Sequence, residues 1–126
     1  MIVTLANLKE ATKQQIFDQV AAHMLTQNKA SMKVEGSDEF CAYRGDAGLK
    51  CAAGCLIADD EYKPEMDRSV FGNGTGWDTL VSRGLAPSEH EMFIGRLQRI
   101  HDSTPPTNWK DRLNEFAVSH DLIPVE

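Results

Sequence analysis

Apolar residues recur at the spacing of one helical face near the start of the chain. Ile16, Val20 and Met24 follow one another every four residues, so their side chains project from the same side of a helix. Thr12 stands before this stripe and Gln15 follows three residues later, which is the pattern of a capping box. The sequence therefore predicts a helix that begins after Thr12 and buries its aliphatic face.

Two further helical stripes lie in the C-terminal part of the chain. The first follows Ser88 and Glu91, a second capping-box pair, and the other follows Thr107, which can cap a helix with its hydroxyl. Pro105 and Pro106 separate the two stripes and interrupt helical structure. We therefore predict two antiparallel helices joined at this turn. Their inward positions are Phe93, Leu97, Ile100, Trp109, Leu113 and Phe116.

The middle of the chain changes to a pattern typical of strands and turns. Residues 40–44 alternate and contain two aromatic side chains, residues 45–48 read Gly-Asp-Ala-Gly, and residues 49–51 can return as a partner strand. This predicts a β-hairpin, with a further short strand around 32–34. Residues 52–57 are small and aliphatic without interruption, which fits a buried strand and a short buried helix equally well.

The segment 58–77 is rich in acids, glycine and proline. It predicts a long irregular connection with at most one helical turn near 63–66. Residues 77–83 can form a short helix that Gly84 ends. Together these elements predict an α+β fold: a helix-dominated single domain over residues 1–126, in which a small antiparallel β-hairpin or sheet packs on about four helices.

Composition narrows the classes of function. The chain has 126 residues, the size of one ordinary domain, and 41% hydrophobic residues with 25% charged ones are typical of a folded soluble protein. Its 19 acids against 13 bases argue against a basic face that grips phosphates, so no nucleic-acid partner is expected. No signal peptide and no apolar run of about 20 residues is evident, so we expect a cytoplasmic protein with no membrane partner.

Three cysteines, Cys41, Cys51 and Cys55, stand in C-x9-C-x3-C spacing. Their odd number and the reducing compartment argue against structural disulfides. Zinc bound by these three with a histidine as fourth ligand is one alternative, although a close C-x2-C pair is missing. A nucleophilic Cys51 beside Lys50 is another, although no Cys-His signature accompanies it. We prefer the hypothesis that they pack as small apolar side chains, with no metal, no cofactor and no catalytic residue.

The block CAYRGDAGLKCAAGCLIADDEY, together with LQRIHDSTPPTNWKDRLNEFA further on, resembles a family of small proteins encoded by bacteriophages and prophages. The resemblance spans about residues 12–122. It rests on a C-x-Y-R-x3-G-L-K-C-A-x-G motif, followed by His101, Asp102 and Trp109. It implies a phage origin and a shared fold, and it implies no reaction. Relatives often carry Ala where this chain has Cys55, which argues further against a metal site with three cysteines.

Two classes of function fit these observations. A small acidic phage protein without catalytic machinery is expected to bind a host bacterial protein in the host cytoplasm, as an inhibitor or anti-defence protein, with segment 58–77 as one surface. The alternative is a binder of a small, nucleotide-like ligand, in which Tyr43 and Trp77 stack on a ring and Arg44 and Lys50 hold an anionic group. A ligand binder should collect these four residues in one pocket, whereas an interaction protein should expose an apolar patch.

The motif block itself is predicted to be chiefly architectural. Its glycines turn the chain, and its small alanine and cysteine side chains let backbone approach backbone. Arg44 and Lys50 flank the turn and should lie side by side. Because acids outnumber bases in this chain, we expect the two cations to pair with Asp46, Asp59 or Asp60.

Overall fold

The computed structural model of the chain describes residues 2–67 and 76–126. Within these ranges lie four α-helices and one two-stranded sheet. The elements are α1 (Lys13–Gln27), β1 (Met32–Glu35), β2 (Asp38–Cys41), α2 (Trp77–Ser82), α3 (Glu91–Ser103) and α4 (Trp109–Ser119). The helix-dominated α+β class predicted from the sequence is confirmed. No helix of the described residues is long and apolar enough to cross a membrane.

Helix α1 begins as its sequence predicts. The Thr12 hydroxyl accepts a hydrogen bond from the Gln15 amide at 3.1 Å, and the Gln15 side chain accepts one from the Thr12 amide at 2.8 Å. Asn28 ends the helix in the left-handed conformation with φ of 52°. The stripe that includes Ile16 and Val20 is fully buried, because α1 packs on both α3 and α4.

Helices α3 and α4 pack antiparallel, as predicted. His101, near the end of α3, stacks on Trp109 at the start of α4, with ring centroids 5.4 Å apart. At the other end of the pair, Phe93 lies 5.2 Å from Phe116. Leu97 and the other inward positions of the two helices are buried or partly buried in the same core.

The predicted caps of these two helices are wrong. Helix α3 begins at Glu91 rather than at Ser88, and His90 precedes it in the left-handed conformation with φ of 62°. A tertiary contact accompanies this start, since His90 Nε2 donates to the Ala11 carbonyl at 2.9 Å. Thr107 lies within the 3-10 turn Pro106–Asn108 and does not cap α4. Pro105 and Pro106 place a 3-10 turn between the two α-helices, so α4 starts only after this turn.

The hairpin lies earlier in the chain than predicted. Its strands pair from Met32 with Cys41 to Glu35 with Asp38, so the short strand expected around 32–34 is confirmed and the predicted return strand 49–51 is wrong. The chain leaves the sheet after Cys41 because the backbone amides of Tyr43 and Arg44 donate hydrogen bonds to the carboxylate of Asp67 instead. The N–O distances are 2.8 and 3.2 Å. These amides are therefore not available to a strand ladder.

The remaining part of the motif block forms tight turns. Residues 52–57, for which strand and helix fitted equally, contain the buried 3-10 turn Ala53–Leu56. Gly54 packs against the backbone of Tyr43, and a Cβ at Gly54 would lie 2.5 Å from the Tyr43 carbonyl oxygen. The helical turn predicted near 63–66 is present as Pro64–Asp67. Residues 68–75, the glycine-rich part of the predicted binding segment 58–77, lie outside the described residues.

Candidate functional site

Arg44 holds the motif block together from within. Its guanidinium donates to the carbonyls of Gly54 at 2.9 Å and Ile57 at 2.6 Å, and to the Asp59 carboxylate at 3.1 Å. Its charged end also lies over the Tyr62 ring, 5.0 Å from the centroid. A guanidinium supplies several donors in one plane, and here they are directed at turns of its own chain. Arg44 is therefore a structural residue.

Lys50 meets Arg44 at the same carboxylate. The Lys50 ammonium lies 3.3 Å from Asp59 Oδ1, which is also the oxygen that Arg44 contacts. The hydrogen bond from Lys50, together with the charges of both cations, lowers the pKa of Asp59. The expected pairing of the two cations with an acid is confirmed, and the partner is Asp59. Asp59 thus neutralises one of the two positive charges that were candidates for ligand binding.

Tyr43 and Trp77 lie in the core. They are 3% and 2% exposed and meet edge to face, with centroids 6.2 Å apart. Burial raises the pKa of Tyr43, and neighbouring acidic groups raise it further. Neither ring offers an open face for stacking on a ligand. The four predicted site residues are thus divided between a core aromatic pair and a cation pair at Asp59.

Asp67 is a central residue that sequence reasoning missed. It is 3% exposed, and its carboxylate accepts from two backbone amides of the motif block and from the Tyr62 hydroxyl at 2.6 Å. A buried carboxylate is stabilised only when such donors surround it. Nothing in the local sequence separates it from the other acids of 58–67, because its donors come from residues 43, 44 and 62.

The cysteines are not brought together as a set of metal ligands. Cys51 is buried, and the Cys55 thiol donates to the Ala52 carbonyl at 3.1 Å. Burial raises the pKa of Cys55 to about 12, and it also raises the pKa of Cys41 to about 12, with the charge of Asp102 adding to the effect. Because the thiolate is the form that attacks and ligates metals, these environments favour neither role.

A different group comes together around Cys41. In the described part of the chain, Cys41, His101 and Asp102 bring three potential ligand atoms within 4.8 Å of one another. His101 Nε2, however, accepts a hydrogen bond from the Ser31 amide at 3.0 Å, and His101 Nδ1 donates to Asp102 Oδ1 at 2.8 Å. Both ring nitrogens are therefore engaged, and a metal on Nδ1 would force a proton onto Nε2 against the Ser31 N–H.

Asp102 is fixed by its neighbours. Burial alone would raise the pKa of Asp102, but hydrogen bonds from His101, Cys41 and Gln98 lower it below its usual value. The Gln98 amide donates to Asp102 Oδ1 at 2.7 Å, while its carbonyl accepts from the Ala53 amide at 2.8 Å. This network joins the end of α3 to the motif block. The network has a structural role, and the Asp102 side chain is its partly exposed member.

An open hollow beside this hydrogen-bond network runs along α3. A hollow of about 560 Å³ is bounded by α3 and the start of α2, and a second hollow of about 380 Å³ continues it towards Cys41 and Tyr43. Gly76, Gln98 and Asp102 line both hollows. We refer to the outward side of α3 at this hollow as the α3 face. It is defined by six residues, which are Glu91, Met92, Gly95, Gln98, Arg99 and Asp102; the exposed Arg96 also lines the hollow and lies to one side of them.

Gly95 lies at the centre of the α3 face. A Cβ built at this residue would meet nothing within 4 Å, so the structure leaves room for a side chain. A glycine inside a helix costs about 1 kcal/mol relative to alanine. The position is thus one where the helix backbone is accessible from outside. Sequence periodicity marked only the buried side of α3, and this mid-helix glycine was the signal that could have identified the other side.

The residues nearest Gly95 on the α3 face include an exposed apolar side chain and two charged ones without an ion pair in the described part of the chain. Met92 is 69% exposed. Neither Glu91 nor Arg99 forms an ion pair among the described residues. Trp77 also lines the hollow, and its buried Nε1 has no hydrogen-bond partner within the described chain, whereas Trp109 Nε1 donates to the Thr104 carbonyl at 2.8 Å. These groups have unused capacity for contacts.

Comparisons with known proteins add no assignment. No family model matches the chain, and no curated protein or solved structure is detectably similar to it. The resemblance to phage proteins therefore stays a prediction. Inferences about function rest on the geometry of the chain itself.

Proposed function

We propose that this protein is a phage-encoded accessory protein that binds a protein of the bacterial host without catalysing a reaction. The observation that carries the proposal is the α3 face, where an exposed methionine lies beside Gly95 together with Glu91 and Arg99, which form no ion pair among residues 2–67 and 76–126. A flexible methionine beside charged groups can contribute both apolar and polar contacts to a protein partner. Inhibition of the bound host protein is the expected consequence.

The polar chemistry of the motif block supports a non-catalytic role. Burial raises the pKa of Cys41 and Cys51, so both thiols are held in their unreactive form. The two ring nitrogens of His101 are committed to Ser31 and Asp102. Covalent catalysis requires a nucleophile with a free neighbouring base. The cluster of Cys41, His101 and Asp102 does not contain such a pair.

The shape of the surface favours a protein over a small ligand. From Glu91 to Asp102 the α3 face extends over roughly 16 Å of helix, at 1.5 Å per residue. Of the four residues predicted to hold a nucleotide, the buried Trp77 lines the hollow beside it and the buried Tyr43 lines the second hollow. Arg44 and Lys50 pair with Asp59, and neither residue lines either hollow.

The test is affinity capture from bacterial lysate with three forms of the protein. Gly95→Leu places a bulky side chain at the centre of the α3 face, where space is open, and leaves the core untouched. Ala22→Leu adds a bulky side chain at an exposed position of α1 and serves as the control. We expect one host protein to be captured by the wild type and by Ala22→Leu, and lost with Gly95→Leu. Capture by all three forms alike, or by none, contradicts the proposal.

A further inference from the structure

We infer that the α3 face also binds a second copy of itself, so that the free protein forms a two-fold dimer through antiparallel α3 helices. The order of residues along the helix identifies this occupant. A two-fold axis at Gly95 places residue i of one copy opposite residue 190 − i of the other. A two-fold interface must be complementary to itself, and the sequence of α3 meets this condition.

Two charges of the α3 face, those of Glu91 and Arg99, are complementary about Gly95. Glu91 and Arg99 lie four residues to either side, roughly 6 Å along the helix axis at 1.5 Å per residue. Antiparallel pairing at Gly95 therefore sets Glu91 of each copy against Arg99 of the other, which gives two reciprocal ion pairs. Neither side chain has a charged partner in the described part of its own chain, so both are available.

The apolar and small residues fit the same arrangement. Met92 faces Gln98 of the second copy under the same axis, so that its side chain, 69% exposed in the monomer, is covered. Gly95 meets Gly95 at the crossing point, and the absence of a Cβ lets the two helix backbones approach closely. Small residues have this effect at close helix crossings in general. The helix-destabilising glycine thus acquires a role that the monomer does not give it.

The helical wheel places these residues together and keeps the core out of the contact. At 100° per residue, Glu91 and Arg99 lie about 40° to either side of Gly95, and Met92 and Gln98 about 60°. The buried residues of α3 point away from this side, and they are Phe93, Ile94, Leu97 and His101. Dimerisation through the α3 face therefore requires no rearrangement of the core.

The dimer uses the same face that is proposed to bind the host protein. Only the competition between dimer and host complex rests on the proposed function. If both bind the α3 face, dimer and host complex exclude each other, and the dimer keeps the face covered until the target is present. The existence of the dimer itself can be measured on the purified protein without any host partner. Failure to capture a host protein and failure to dimerise are therefore separate outcomes.

The experiment is sedimentation velocity of the purified full chain from micromolar to millimolar concentration. We expect a monomer–dimer equilibrium in which Glu91→Arg and Arg99→Glu each raise the dimer Kd at least about tenfold, because each single variant sets like charges opposite one another. The double variant, Glu91→Arg with Arg99→Glu, restores both ion pairs in exchanged form and should recover the wild-type Kd. Gly95→Leu should abolish the dimer, while Ala22→Leu should not affect it.

Mixing the two single variants gives the most specific result. Each variant alone repels itself, because Glu91→Arg carries two arginines on its α3 face and Arg99→Glu carries two glutamates. A heterodimer sets both arginines of one chain against both glutamates of the other, so dimers should reappear on mixing. Recovery on mixing cannot come from a variant that fails to fold. The inference is overturned if the protein is a monomer at all concentrations. It is also overturned if the dimer Kd is the same in the charge-exchange variants and in Gly95→Leu as in the wild type.

Discussion

At the residue scale, the motif block uses its polar side chains on itself. Arg44 joins two carbonyls and Asp59, Asp67 accepts from three donors, and Lys50 lies on the Asp59 carboxylate. A backbone turn without strand or helix partners leaves carbonyls and amides that must be satisfied by side chains. The density of charged residues among the small ones of this block is therefore explained by hydrogen bonding of the turns.

Arg44→Lys should destabilise the protein by about 2 kcal/mol, because an ammonium cannot serve the carbonyls of Gly54 and Ile57 together from the position of the guanidinium. Urea unfolding measures the change. Arg112→Lys, at an exposed position of α4, is the matched control and should change little. An equal, small effect of both substitutions would mean that the carbonyl contacts of Arg44 do not stabilise the fold.

His23 should make stability depend on pH. Burial lowers its pKa from the ordinary 6.5, against the opposing effect of its hydrogen bond to the Lys50 carbonyl. Below pH 6.5 the unfolded chain takes up a proton that the folded protein resists, so its contribution to stability is present above this pH and is lost as pH falls towards the folded pKa. NMR titration of the His23 ring should give a midpoint under 6.5, and His23→Gln should show a smaller loss of unfolding free energy on acidification. A midpoint at or above 6.5 would contradict this assignment.

At the element scale, two glycines have opposite roles. Gly54 packs against the Tyr43 backbone, where a Cβ has no room, and Gly95 sits in α3 with open space beside it. A contact with backbone cannot be relieved by a rotamer change, so the first position requires glycine for packing. The packing of the monomer does not require glycine at position 95.

Gly54→Ala should therefore lower the free energy of unfolding by at least about 1 to 3 kcal/mol through overpacking, and Gly95→Ala should raise it by about 1 kcal/mol through helix propensity. Thermal or urea unfolding of the two single variants gives both values in one experiment. Destabilisation by Gly95→Ala would show that the α3 face is already covered within the chain.

Helix α1, which its local sequence determines, was predicted correctly, whereas the position of the hairpin and the start of α3 were not. Helix α1 has its cap and its stripe within one segment, so the prediction was confirmed in detail. The hairpin was placed too late because Asp67, more than twenty residues away in sequence, takes the amides of Tyr43 and Arg44. The start of α3 likewise coincides with a contact between His90 and Ala11. In both places a side-chain hydrogen bond to a residue far away in sequence accompanies the departure from the local pattern.

At the scale of the whole molecule, the polar groups of the motif block bind to one another, whereas the α3 face borders an open hollow. Sequence reasoning placed candidate ligand-binding residues in the motif block, at Tyr43, Arg44 and Lys50, and further along the chain at Trp77, because aromatic and cationic side chains are typical of ligand sites. The α3 face was missed because its polar positions look like any solvated helix side, and their meaning depends on which groups lack partners after folding. Such a property is readable only from three-dimensional contacts.

The most direct measurement is a calorimetric titration of two folded variants with the host protein that the capture experiment is expected to identify. Lys50→Ala removes a cation of the motif block, and Gly95→Leu fills the centre of the α3 face. We predict that Lys50→Ala binds like the wild type, while Gly95→Leu loses at least about tenfold in affinity. Loss with Lys50→Ala and full binding by Gly95→Leu would contradict this prediction and would place the interaction surface at the motif block instead.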